Sequence, residues 1–69
     1  MQLSARNRLN ATVESVTLGE VMATVSVTLP DGQRITAAIT RDATEDLAFA
    51  PGDKVIVVIK STEVMLAKD

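Results

Sequence analysis

The sequence predicts an all-β fold with one short helix, in the form of a small barrel of about five strands. Long stretches alternate apolar and polar residues with a period of two and are rich in β-branched side chains, which is typical of half-buried strands. Only one segment breaks this alternation with the spacing of a helix. A chain of 69 residues forms one domain at most, so we expect a single domain over residues 1–69.

Alternation and turn chemistry predict the first three strands. The run NATVESVTL is apolar on one face until Glu14 and Ser15, where the phase changes, and a β-bulge there would restore the register. The next run, VMATVSVTL, alternates without interruption. A turn at Pro30 to Gly32 follows, and QRITAAIT then resumes the alternation, so the two runs predict a hairpin.

The segment TRDATEDLAF changes character and predicts one or two helical turns. Thr40 or Asp42 can cap the helix, acidic residues follow, and Leu47 is spaced to face the core. After a turn at residues 51–53, KVIVVIK is a nearly continuous apolar run, typical of a strand covered on both faces. EVMLA predicts a last short strand. Together these elements predict an OB-like small β-barrel.

The composition indicates that the chain needs a partner. A domain of this size buries only about 60% of the surface that its unfolded chain exposes, which leaves its stability marginal. Cys and His are both absent, so disulfides cannot add stability and a structural zinc site would lack its usual ligands. The hydrophobic fraction is 46% although Phe49 is the only aromatic residue, which suits a protein with an interface to cover. We therefore expect a homo-oligomer.

Charge and composition weigh against several functions. The formal net charge is −2, whereas a nucleic-acid-binding OB domain would need a basic groove and stacking aromatic side chains. No stretch approaches the roughly 18 apolar residues of a membrane span, and the N-terminus lacks a signal peptide's apolar region, so we expect a cytoplasmic protein without a membrane partner. Without His, Cys or paired carboxylates no catalytic constellation stands out, and the acidic residues lack calcium-loop spacing, so we expect neither an enzyme nor a metal site.

Two polar motifs lie between apolar runs near the two ends of the chain. In SARN, Ser4 and Arg6 share a strand face, so a hydroxyl and a guanidinium can point the same way, with the Ala5 amide between them. In KST, Lys60 ends an apolar strand and Ser61 adds a hydroxyl, where backbone amides that leave a strand are often free to donate. Both motifs suit an anion, although each can also be a solvated strand end or turn.

A small tetrahedral dianion would use both motifs together. It needs several short hydrogen-bond donors and one or two cations in a compact pocket. Thr40, at the end of AAIT, offers another hydroxyl but can also be a helix cap and nothing more. If two chains met, the N-terminal segment of one could complete a pocket begun by KST of the other.

SARN, ITAAIT and VIKSTEVML, in this order and spacing, resemble the molybdate-binding Mop proteins, or molbindins. The resemblance spans essentially the whole chain, and because no DNA-binding module accompanies it, we expect a stand-alone molbindin rather than a regulator. It implies an OB-like barrel that assembles as a hexamer, a trimer of dimers. It also implies that molybdate or tungstate binds at the subunit interfaces, as the intact anion and through hydrogen bonds.

The resemblance implies an oxyanion site that is shared between two subunits. Carried over by position, the residues of one subunit are Ser4, Ala5 and Arg6, and those of the other are Thr40, Lys60 and Ser61.

The resemblance further implies a second class of site built largely from backbone, for which the turn of Gly19, Glu20 and Val21 is the candidate. The carboxylate of Glu20 would have to point away from a dianion there. The implied function is storage and homeostasis of molybdenum. A structural interaction module of the same fold without a ligand is the alternative, and a nucleic-acid-binding OB domain is a weaker one.

Overall fold

A computed structural model describes residues 2–69, so Met1 of the predicted domain lies outside the described residues. The elements in chain order are β1 (Asn7–Leu18), β2 (Met22–Thr28), β3 (Arg34–Thr40), α1 (Arg41–Leu47), β4 (Lys54–Ile59) and a 3₁₀ turn (Ser61–Glu63). The strands form one antiparallel sheet in the order β3-β2-β1-β4. The predicted all-β fold with one short helix is confirmed, with four strands in residues 2–69 rather than about five.

The long strand β1 organises the sheet because it pairs with two neighbours. Residues 7–12 pair with β4, and residues 12–18 pair with β2. The register of β1 against β2 shifts between Val13 and Ser15, which confirms the predicted bulge. A bulge bends its strand and increases the local twist. The sheet accordingly curls into a half-barrel whose concave face carries the core.

The core is made of small and β-branched side chains on that concave face. Ala23, Val25 and Val27 of β2 are each exposed by 4% or less. Val25 and Val27 pack in one cluster with Ala11 and Val13 of β1, which are exposed by 5% and 2%. Partly buried side chains around this set are Val16, Leu29, Ile35, Ile39, Phe49, Val55 and Val57. Since β-branched side chains have few rotamers, they lose little freedom when they pack on a pleated surface.

The predicted hairpin of β2 and β3 is closed by a short turn. The amide of Leu29 donates to the carbonyl of Gln33 at 2.7 Å, and the amide of Gly32 donates to the carbonyl of Leu29 at 2.9 Å. Gly32 has a φ of 91°, a conformation that favours glycine. The side-chain amide of Gln33 donates a hydrogen bond to the Asp31 carboxylate, and its backbone amide donates a second one. Both bonds, the side-chain one most, lower the pKa of Asp31 below its usual value.

The helix α1 begins where the sequence predicts. Oγ1 of Thr40 accepts a hydrogen bond from the amide of Ala43 at 3.1 Å, so Thr40 is the N-cap. Oγ1 of the buried Thr44 donates to the carbonyl of Thr40 at 3.0 Å. Leu47, in contrast, does not face a closed core: it lies at the rim of the concave face with 64% of its surface exposed. Leu47 thus faces the concave side as predicted, but it is not buried there because four strands leave that side of the half-barrel open.

The prediction that β4 is covered on both faces does not hold within one chain. Val55 and Val57 on the concave side are half-buried, whereas Ile56 and Val58 on the other side are 47% and 42% exposed. No second layer covers the outer face of the sheet among the described residues. The continuous apolar pattern of β4 therefore exceeds what the single chain can bury.

The segment EVMLA does not form the predicted last strand. The 3₁₀ turn follows β4, and residues 64–69 have no ladder partner within residues 2–69. Met65 and Leu66 are 92% and 94% exposed. A strand forms only where its backbone groups find a partner edge, and apolar alternation alone does not supply one.

Gly19 lies in the turn between β1 and β2 and is required there for lack of space. Its amide donates to the carbonyl of Met22 at 2.8 Å. A Cβ atom added to Gly19 would lie 2.7 Å from the same carbonyl oxygen, which is closer than Cβ atoms approach backbone oxygen. Any larger residue must therefore push the two strand ends apart.

We expect Gly19→Ala to lower the free energy of unfolding by roughly 1–3 kcal/mol, because overpacking displaces the backbone of the turn. Chemical denaturation at one fixed protein concentration measures this change. Ser15→Ala, at an exposed position of β1, is the control and should change the value by less than about 0.5 kcal/mol. Equal stabilities of the two variants would show that the turn relaxes without cost.

Candidate oxyanion site

The two terminal motifs lie side by side at one end of the sheet. Asn7 and Ile59 are the last register pair of β1 with β4. Arg6 and Lys60 are the next residues beyond that pair, one on each strand, and adjacent strands lie about 4.7–4.9 Å apart. The fold of a single chain thus brings SARN and KST together across more than 50 residues of sequence.

The two cations at this end are available to an anion. Arg6 and Lys60 are exposed, and neither forms an ion pair in the part of the chain that the structure describes. The two carboxylates that form ion pairs do so with other arginines: Glu14 lies 3.0 Å from Arg34, and the second such pair forms within α1. Two unpaired cations on neighbouring strand ends repel each other, and a dianion between them would turn that repulsion into attraction.

The 3₁₀ turn after β4 adds backbone donors. Its first hydrogen bond runs from the amide of Glu63 to the carbonyl of Lys60 at 2.9 Å. The amides of Ser61 and Thr62 precede that first donor and so have no acceptor within the turn. Both residues are exposed, so their hydroxyls add further donors next to Lys60.

On the other strand, the segment from Ser4 to Arg6 is held by side chains that sequence reasoning missed. The Nδ2 atom of Asn7 donates to the carbonyl of Ile59 at 3.2 Å, and Nη2 of Arg8 donates to the carbonyl of Leu3 at 2.9 Å. Ser4 is exposed and Ala5 is half-buried between these two contacts. The sequence signal for the Asn7 contact was the presence of Asn7 in SARN, but no sequence pattern predicts that its side chain bonds to Ile59.

Thr40 lies at the opposite end of the sheet from Arg6 and Lys60. Thr40 pairs with Met22 at the start of β2, which lies beside the C-terminal end of β1. β1 has 12 residues, which span about 40 Å at 3.3 Å per residue before curvature is counted. Thr40 therefore cannot contact an anion held by Arg6 of the same chain. Its Oγ1 accepts the capping hydrogen bond, which leaves the hydroxyl hydrogen to donate elsewhere.

The turn at Gly19, Glu20 and Val21 lies at the same end as Thr40. Arg41 holds it: the Arg41 amide donates to the carbonyl of Val21 at 2.8 Å, and Nη1 of Arg41 donates to the carbonyl of Gly19 at 3.2 Å. The same guanidinium pairs with Glu45 at 2.7 Å, so its charge is partly neutralised. Because the Gly19 amide is already bonded, the turn has the amides of Glu20 and Val21 left to offer.

The described residues contain neither a cluster of metal-ligating side chains nor a helix that could cross a membrane. No group of three or more acidic side chains within residues 2–69 lies close enough to hold a metal ion. Over the same residues, no helix has the length and apolar character needed to cross a membrane.

Comparison with known proteins identifies the family. The TOBE-domain model matches residues 3–66. Molybdenum-pterin-binding protein 3 of Clostridium pasteurianum is 41% identical over 66 residues, which are 96% of this chain and 97% of that protein. The chain belongs to the TOBE-domain family of molybdenum-pterin-binding (Mop) proteins. Molybdenum-pterin-binding protein MopA of Rhodobacter capsulatus is 46% identical over 67 residues, 97% of this chain but only 25% of that protein.

Solved structures of molybdate-binding proteins share the fold. A molybdate-binding protein from Sporomusa ovata superposes with a TM-score of 0.93 at 43% identity, over 99% of this chain and 100% of the other. The molybdate-bound form of ModG, a cytoplasmic molybdate-binding protein, gives a TM-score of 0.84 at 39% identity, over 88% of this chain and 43% of that one. The resemblance to the Mop proteins and the predicted fold class are confirmed.

Thr40→Asp should separate helix capping from anion binding. Asp is as good an N-cap as Thr, so we expect the free energy of unfolding to change by less than about 0.5 kcal/mol. If Thr40 contacts molybdate held by a second chain, the added carboxylate repels the dianion and the dissociation constant rises at least about tenfold. Thermal unfolding and calorimetric titration measure the two effects.

Thr36→Asp, at an exposed position of the same strand, adds the same charge and is the control for Thr40→Asp. Unchanged molybdate affinity in Thr40→Asp would remove Thr40 from the site.

Proposed function

We propose that this protein binds molybdate and tungstate as intact tetrahedral dianions, for storage and homeostasis of molybdenum in the cytoplasm. The observation that carries the proposal is the unpaired cation pair, Arg6 and Lys60, set side by side at the ends of β1 and β4. The molybdate-binding protein from Sporomusa ovata and the molybdate-bound, cytoplasmic ModG support the choice of anion and compartment.

The proposed mechanism is reversible hydrogen bonding, with no protein atom bound to molybdenum. Guanidinium, ammonium, hydroxyl and amide groups all donate to oxyanion oxygens, and charge-assisted hydrogen bonds of this kind are about twice as strong as neutral ones. Molybdate and tungstate are nearly equal in size, so the pocket barely separates them. Sulfate is smaller and leaves the donors too far away, and phosphate keeps a proton that a pocket of donors cannot accept.

The proposed site joins residues of two subunits. One subunit supplies Ser4, Ala5, Arg6, Lys60 and Ser61, because its own fold sets Lys60 beside Arg6, and the other supplies Thr40; this corrects the division implied by the resemblance, which grouped Thr40 with Lys60 and Ser61. The far position of Thr40 supports a shared site, because only a second chain can bring that hydroxyl to the anion. The turn at residues 19–21, with two free amides, is the proposed second class of site.

We propose that one Mop domain, residues 1–69, forms a homo-oligomer, a hexamer built as a trimer of dimers. Four strands do not close a barrel, and the concave face leaves an apolar cleft of about 290 Å³. Ile56 and Val58 leave further apolar surface exposed on the edge strand β4. Burying these surfaces between subunits supplies the stability that a chain of this size lacks.

The C-terminal segment of a second copy suits the open edge of the half-barrel. Val64 has extended backbone angles, with φ of −91° and ψ of 127°, so the chain leaves the turn in a conformation compatible with a strand. Met65 and Leu66 are almost fully exposed and would be buried there. Insertion into a partner would complete the strand that the sequence predicts and that the single chain does not form.

Neither catalysis nor nucleic-acid binding is part of the proposal. The relatives are named as binding proteins, and the proposed chemistry releases the anion unchanged. A net charge of −2 and a single aromatic residue, Phe49, do not suit a nucleic-acid surface.

Native mass spectrometry with molybdate, tungstate and sulfate in parallel tests the proposed function. We expect a hexamer that takes up several molybdate or tungstate ions and ignores sulfate. Arg6→Ala and Lys60→Ala should each reduce the number of bound anions, because each removes a cation from the site. Arg34→Ala removes an exposed arginine that Glu14 already pairs and should leave the number unchanged. A monomer, or equal uptake of all three anions, would contradict the proposal.

Leu66→Asp tests whether the C-terminal segment joins the subunits. A carboxylate cannot enter an apolar cleft unpaired, so we expect the assembly to dissociate at concentrations where the unsubstituted protein stays associated. Leu66→Met keeps the apolar character and is the control. Analytical ultracentrifugation measures both variants, and an intact assembly of Leu66→Asp would show that the segment lies outside the interface.

A further inference from the structure

We propose that Asn7 is a positioning residue that presets the distance between the two halves of the oxyanion site; this inference rests on the proposed function. The Nδ2 atom of Asn7 donates to the carbonyl of Ile59 at 3.2 Å, and the contact is partly buried. Asn7 and Ile59 are also the last register pair of β1 and β4. The side-chain bond therefore reinforces the sheet at the point where the ladder ends, immediately before the two cations.

The strand ends need this reinforcement because of the charges that follow. Arg6 and Lys60 repel each other, and the last pairs of a ladder open more easily than its centre. A carboxylate at position 7 would also attract the two cations and compete with the anion for them. The amide of Asn7 links the strands without a charge, so it holds the cations together and leaves them free to bind.

The N-terminal end of the segment from Ser4 to Arg6 is also held by a side-chain hydrogen bond. Nη2 of Arg8 donates to the carbonyl of Leu3 at 2.9 Å, so the segment from Ser4 to Arg6 lies between two side-chain hydrogen bonds. The Arg8 contact is exposed and local in sequence, whereas the Asn7 contact joins two strands. The Asn7 contact therefore fixes the position of SARN relative to KST. A segment that is already ordered before binding loses less conformational entropy when the anion binds.

Asn7→Ala and Asn7→Asp test the proposal by calorimetric titration with molybdate. Loss of a group that orients binding residues typically weakens a site by 10–100-fold, so we expect the dissociation constant to rise about tenfold or more in Asn7→Ala. Asn7→Asp keeps the shape, loses the donor and adds a charge, so its rise should be larger. Asn10→Ala removes an exposed asparagine of the same strand and should bind like the unsubstituted protein.

Amide hydrogen exchange gives a readout that a general loss of stability would not imitate. In the absence of molybdate, we expect Asn7→Ala to speed exchange at Ala5 and Ser61 and to leave exchange in the core of β2 unchanged. Saturating molybdate should restore slow exchange at both positions, because the anion then bridges the two strand ends.

Each outcome bears on a different claim. If the unsubstituted protein binds no molybdate, the proposed function fails, and the role of Asn7 fails with it. If the unsubstituted protein binds molybdate and both Asn7 variants bind equally well, only the role of Asn7 is overturned. If both variants fail to fold, Asn7 determines the fold rather than the site, and the inference is overturned as well.

Discussion

The pairing of β1 with two different neighbours is the constraint on which the rest of the structure depends. Its first half pairs with β4 and its second half with β2, and the bulge after Val13 lies within the part that pairs with β2. The first half sets SARN beside KST. The second half leads to the turn at Gly19 and to Thr40 on the far side of the sheet. One long strand therefore divides the donors between its two ends, and a site that needs both ends also needs a second chain.

The same division links binding to assembly. A four-stranded half-barrel leaves its concave face open and leaves Ile56 and Val58 of its edge strand β4 exposed, so apolar surface remains for another subunit to cover. Val64, Met65 and Leu66 of the C-terminal segment are apolar, exposed and without a ladder partner, and they lie beyond the turn that carries the KST donors. Docking that segment on a neighbour would also order the turn. Apolar burial and anion binding are therefore parts of one arrangement in the proposed hexamer.

For anion binding, the local arrangement of charges in this protein matters more than its net charge. The chain is acidic overall, yet its two ion pairs involve Arg34 and Arg41, and Arg6 and Lys60 are among the cations without an ion pair within the described residues and lie side by side. Hydrogen bonds from neutral groups then fix the geometry around the free cations, above all the contact from Asn7 to Ile59. A pocket that combines free cations with preset neutral donors suits a dianion, whereas a uniformly basic surface would bind polyanions of many shapes.

The sequence by itself determined the strand pattern, the bulge near Glu14, the hairpin turn and the capping of α1 by Thr40, because alternation, turn residues and caps act over a few neighbouring residues. Its motifs also indicated the family. Only the tertiary structure decided that Arg6 lies beside Lys60, that Thr40 lies far from both, and that Asn7 bonds to Ile59. The tertiary structure also leaves Leu47 and the segment EVMLA exposed. Their apolar pattern indicates that they become buried, but it does not show whether the same chain or another chain covers them. Register and long-range pairing depend on which edges meet, and no local pattern contains that information.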